Sequence, residues 1–109
     1  MNRSSDSSMF VILTSKPGQF RTESVEGLNP IEAYDYIFYG KKKAHFVIAE
    51  LLRPVKVRVV DEAPPPVVNH IPSKFLSKFG TLEEARRELQ QLKSAHDTDT
   101  NLVQVQRSV

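Results

Sequence analysis

The stretch Asn29–Ala49, NPIEAYDYIFYGKKKAHFVIA, decides the fold of this chain because it reads in two ways. Asn29 as N-cap, Pro30 at the first helical position, Glu32 three residues in and Gly40 past the end make coherent helix punctuation. Against this, Tyr34, Tyr36, Ile37, Phe38 and Tyr39 crowd strand-forming side chains into six positions. Pairing the segment with its own continuation separates the two readings. With Gly40, Lys41 and Lys42 as a hairpin loop, Tyr39 faces Lys43, Phe38 faces Ala44, Tyr36 faces Phe46 and Tyr34 faces Ile48. One face is then apolar throughout, and the other carries Asp35, Ile37, Tyr39, Lys43, His45 and Val47. A slip of one residue would scramble that partition, so its coherence favours the strand.

Outward from the hairpin, Phe10–Thr14 is a compact apolar run. Lys16-Pro17-Gly18-Gln19 follows with Pro and Gly at the centre of a type II turn, predicting a hairpin into Gln19–Val25. Val55–Val60 alternates, valines on one face and Lys56 and Arg58 on the other, as a half-solvated strand does. Pro54 predicts a loose connection before it, and the prolines at 64 to 66 a surface loop after it. Val67–Ile71 reads as a short strand and Ser73–Gly80 as one helical turn stopped by glycine. Thr81 with Glu84 forms a capping box, and Leu82, Ala85, Leu89 and Leu92 recur at helical spacing. Leu102, Val103 and Val105 make a last edge strand.

These elements predict an α+β fold: an antiparallel, mostly meandering sheet with one C-terminal amphipathic helix packed on its aromatic face. The alternative takes 30 to 39 as helix and gives the ferredoxin-like order βαββαβ. Residues 1 to 8 are expected to be a disordered extension, 9 to 106 a single domain and 107 to 109 a frayed tail.

With 109 residues, 15 Lys plus Arg and 13 Asp plus Glu, the chain is of ordinary domain size and carries a formal charge of only +2. The absence of cysteine excludes disulfides, thiolate nucleophiles and Cys-ligated metals, and suits a reducing compartment. The opening MNRSSDSS has no apolar signal core, and no run approaches the roughly 18 apolar residues of a membrane span. A cytoplasmic protein with no membrane contact is the expectation.

Sites that sequence motifs announce are missing. His45, His70 and His96 lie too far apart for a paired metal motif. Asp97-Thr98-Asp99-Thr100-Asn101 opens like a calcium loop, but Leu102 stands where glycine is needed and Ser108 where glutamate is needed. The four glycines, at 18, 27, 40 and 80, are isolated, so no phosphate cradle is encoded. No cofactor is implied.

What remains is a basic surface. From Ala33 to Val60 the local charge is +4, interleaved with Tyr and Phe, a composition that stacks bases and tracks phosphates. An RNA recognition motif would place aromatics where Ala44 and Ala49 stand, so no family is assigned. The expected function is a small non-catalytic accessory or regulatory module that binds another protein. Its candidate contacts are Tyr39, Lys41, Lys42, Lys43, Lys56 and Arg58, with Lys74 and Lys78 on the short turn. Nucleic-acid binding through Lys41–Lys43 is the first alternative. A small-ligand protein or enzyme using His45 and Tyr39 is the second. Exposed strand edges leave a homodimer open.

Overall fold

The computed structural model describes residues 9–94 and 100–105. Element order is β1 (Met9–Ser15), β2 (Phe20–Glu23), β3 (Leu28–Phe38), β4 (Lys41–Leu51), β5 (Lys56–Asp61), β6 (Val68–Pro72), a 3-10 turn Ser73–Phe75, α1 (Leu82–Ser94) and β7 (Thr100–Val105). The fold is α+β, antiparallel, with its helix against a sheet, and residues 30 to 38 are strand rather than helix. The ferredoxin-like order is thereby removed. The expected extension at 1 to 8, His96, most of the calcium-like run and the expected tail lie outside the described residues.

The strands divide between two sheets, β1-β4-β3-β7 and β2-β5-β6, which a single meander did not foresee. The reason lies in β1 and β4, whose runs FVIL and FVIA are apolar at every position. Phe10, Ile12, Phe46 and Ile48 turn to α1 and pack with Ala85 and Leu89. Val11, Leu13 and Ala49 turn the other way and pack with Val57, Val59 and Ile71 of the second sheet and with Val55 just before it. The first sheet is thus a central layer covered on both sides.

The β3–β4 hairpin forms in a register two residues away from the expected one: Tyr34 opposes Phe46 and Tyr36 opposes Ala44. A shift of two preserves every face, so Tyr34, Tyr36 and Phe46 still lie under the helix. The loop is tighter than expected. Tyr39 and Gly40 alone turn the chain, with φ of 51° and 77°, the left-handed pair that a two-residue hairpin requires. The register shift between Tyr36 and Ile37 makes Lys43 the extra residue of a bulge. Phe38, the last residue of β3, meets Tyr39 edge-on at 4.4 Å.

The Lys16–Gln19 turn forms as expected, with Gly18 at φ 80° and Gln19 N–H donating to Lys16 O at 2.9 Å. It does not launch a long hairpin. After one bridge, Lys16 to Phe20, β2 swings away to pair with β5, held at the fork by Thr22 N–H donating to Ser15 Oγ at 2.9 Å. The predicted turn at 73 to 80 is also shorter. It ends at Phe75, and Phe79 instead exchanges two backbone hydrogen bonds of 2.8 Å with Phe10, covering part of the β1 edge.

Helix α1 starts as its sequence dictates: Glu84 N–H donates to Thr81 Oγ1 at 3.1 Å, while Glu84 Oε1 accepts from Gly80 N–H at 3.0 Å. Ala85 and Leu89 are fully buried, whereas Leu92 is 38% exposed near the helix end.

Where β4 leaves the central layer for β5, Gly27 lies buried with φ 103° and its carbonyl accepts from Leu52 N–H at 2.8 Å. A Cβ there would stand 2.4 Å from Val55 Cγ1, a branched core side chain that cannot swing aside. Gly27→Ala is therefore expected to destabilise the fold by about 1–3 kcal/mol. Urea unfolding should show a lower midpoint with an unchanged slope. An unchanged midpoint would mean that the two sheets do not meet as closely as described.

Candidate functional site

Strand β4 sorts the candidate residues by distance. Its 11 residues run roughly 30–35 Å from Lys41 to Leu51, within a molecule whose longest extent is 47 Å. Tyr39, Lys41, Lys42, Lys43 and His45 gather at one end. Lys56 begins β5 five residues beyond the other end, opposite Pro72 and next to the turn that carries Lys74. The basic excess read as one surface is thus two surfaces at opposite ends.

At the hairpin end the two faces of β4 carry different chemistry. On the face away from the helix, Ser15, His45 and Asp35 are cross-strand neighbours in one row. His45 Nδ1 donates to Asp35 Oδ1 at 2.7 Å, and Lys42 Nζ stands 3.7 Å from the same oxygen. A carboxylate on Nδ1 orients the imidazole and leaves Nε2 as the basic nitrogen. His45 lines a hollow of about 380 Å³ with Phe20, Arg21, Lys42 and Glu62. The residue types are those of a nucleophile, base and orienting acid, but Ser15 Oγ is engaged by Thr22 N–H, and no Ser15–His45 hydrogen bond occurs among the described contacts. Tyr39, expected to act with His45, sits in the turn with its ring against Phe38.

On the helix face, Lys43 lines a cavity of about 430 Å³ whose walls include Tyr36, Ala44, Phe46 and Leu92. The bulge moves Lys43 to this side from the mixed face to which alternation assigned it. Phe46 and Tyr36 meet edge-to-face there at 6.4 Å.

At the far end, Lys56 and Lys74 line one open hollow of about 540 Å³ together with Pro54, Val55, Pro72 and Ser73. Ser73, only 3% exposed, is clamped: its N–H donates to Val55 O at 2.7 Å and its Oγ accepts from Val55 N–H at 3.1 Å. Lys78, expected as a contact residue, is instead committed to structure, donating to Ser73 O at 2.6 Å and Leu76 O at 2.9 Å. This bracing holds out Phe75, 71% exposed, with the Lys74 ammonium 5.3 Å from its ring centroid. Arg58 points from the second sheet toward Glu23, 3.5 Å away, in register with His70.

One polar cluster had no sequence signal. Arg86 of α1 grips Glu32 of β3 with a two-pronged contact, Nε to Oε1 at 2.9 Å and Nη2 to Oε2, and also reaches Glu83 Oε2 at 2.9 Å. Tyr34 OH donates to Glu32 Oε1 at 2.7 Å. The partners are 54 residues apart, and the local sequence marks Glu32 only as helix punctuation. The guanidinium hydrogen bonds hold the Glu32 carboxyl below the ordinary 4.5 of a glutamate. Burial, then the hydrogen bond to Glu32, pushes the Tyr34 phenol above its ordinary 10.0, and the contact raises Arg86 further.

Among the described residues no group of three or more His, Asp or Glu could hold a metal ion, and no helix is long and apolar enough to cross a membrane. No protein-family model matches the chain, and neither a curated protein nor a solved structure gives a significant match.

A glutamate with a depressed folded pKa adds stability that is complete above the unfolded value near 4.5 and is lost as pH falls through the folded value. The stability gap between the wild type and Glu32→Gln is therefore expected to be widest above about pH 5 and to close on acidification toward pH 3. Urea titrations across that range check it, and a pH-independent gap would show that the ion pair adds nothing.

Proposed function

We propose that the protein is a small non-catalytic accessory module whose far-end surface, Phe75 with Lys74 and Lys56, docks an acidic, extended segment of a partner protein in the cytoplasm. The observation that carries this reading is Phe75. A large aromatic side chain 71% exposed on a turn fastened by Ser73 and Lys78 is a rigid anchor of the kind that dominates binding interfaces. Among the described residues two cations and no carboxylate line the adjoining hollow, which gives it the charge sign for acidic chains. Its prolines, Pro54 and Pro72, offer apolar rings without N–H donors, so side chains rather than a strand ladder would read the partner.

The hairpin end supports a nucleic-acid reading less well. Tyr34, Tyr36 and Phe46, which would have to stack bases, lie against the helix, and Lys42 stands beside Asp35. That reading would rest on Lys41 and Lys43, with Tyr39, 68% exposed in the turn, as its aromatic platform.

Affinity capture with the wild type, Phe75→Ala, Lys56→Glu/Lys74→Glu and Lys41→Gln/Lys43→Gln separates these readings. Phe75→Ala should leave folding stability within about 0.5 kcal/mol and weaken the stoichiometric partner roughly 30-fold or more. The charge-reversal pair should abolish capture. A partner retained by both far-end variants but lost with the hairpin variant would overturn the proposal. So would a nuclease-sensitive, steeply salt-dependent partner.

A further inference from the structure

We propose that the cavity between α1, β1 and β4 is a binding site for a small apolar carboxylate, its anionic end held by Lys16 and Lys43 and its body laid on Phe46, Tyr36 and Leu92. This site lies at the opposite end of the molecule from the docking surface proposed above and does not depend on it. At about 430 Å³ the cavity is within the range that buries most of a small organic ligand.

Three features converge on the ligand class. The floor is apolar and rigid: Ala44 and Phe46 are buried in the central sheet, and Phe46 is fixed edge-on by Tyr36. Leu92 follows Leu89 at helical spacing yet remains 38% exposed, so this apolar wall is left open where Ala85 and Leu89 are sealed. The rim is cationic. Lys16 comes from the β1–β2 turn and Lys43 from the bulge, and among the described residues the lining includes no carboxylate and neither lysine forms an ion pair.

Polarity along the trough orients the ligand. A second hollow of about 200 Å³ shares Thr14, Phe46 and Leu92 with the first and is bounded by Glu88 at its other end. A carboxylate seated at the Glu88 end would meet like charge, whereas at the Lys16–Lys43 end it meets two ammonium groups in a partly apolar setting. An elongated apolar body can then run toward Leu89 and Phe79, which line the second hollow.

The test compares naphthoate with its neutral carboxamide, which shares its shape and lacks its charge, using amide chemical shifts of the wild-type chain. Naphthoate is expected to shift Thr14, Ala44, Phe46 and Leu92, and to bind about tenfold more tightly than the carboxamide. The Lys16→Gln/Lys43→Gln variant should bring the two ligands to similar affinity while keeping the dispersed spectrum of a folded chain. Leu92→Asp, at an exposed position, should weaken both. Equal affinity of the two ligands for the wild type would overturn the proposal, as would shifts centred on Phe75 or His45, or no shift at low millimolar ligand.

Discussion

The rest of the structure depends on the burial of β1 and β4 on both faces. A strand with one apolar face needs one covering layer, but FVIL and FVIA present large apolar side chains in both directions. Each buried aliphatic side chain is worth about 1.5–3 kcal/mol relative to exposure, so neither face can be left wet. Helix α1 closes one side through Ala85 and Leu89, and the valines of β5 close the other. The chain must therefore leave the central sheet twice to build its outer layer, after Ser15 and after Leu51. The tight features of the backbone cluster at those departures: the Ser15–Thr22 fork and the approach of Gly27 to Val55.

Those departures also distribute the charges. A meander of short hairpins would have left Lys41–Lys43, Lys56 and Arg58 on one sheet, as one basic surface. Because β4 runs most of the length of the molecule before the chain changes layer, Lys56 is carried to the other end, beside the turn that bears Lys74. Local composition thus counted charges that the topology separates. Lys78 shows the same limit at the scale of one residue, since its ammonium caps the carbonyls of Ser73 and Leu76 rather than facing a partner.

Much of the fold was nevertheless legible, and where it was, the signal was local. The turn at Lys16–Gln19, the capping residue Thr81, the buried pair Ala85 and Leu89 and the alternation of β5 each follow from spacing within a few residues. The hairpin register was legible only up to parity. Side-chain alternation fixes which residues share a face but not which pair, and a turn with two positive φ values at Tyr39 and Gly40 falls outside what a tyrosine advertises. The second sheet was signalled by the lack of alternation in FVIL and FVIA. The grip of Arg86 on Glu32, made across 54 residues, left no trace in local pattern.

The same reasoning bears on what the site residues can do. A side chain is available for recognition only when folding leaves it with work undone, and by that criterion two places stand out among the described residues. Phe75 is held rigidly in water although its neighbours are braced from beneath, and the Leu92 wall stays open although Ala85 and Leu89 behind it are sealed. The Asp35–His45 pair and the Glu32–Arg86 grip already have their charges answered inside the protein. Function is therefore better sought where apolar surface and unanswered lysines coincide than where titratable groups are most densely gathered.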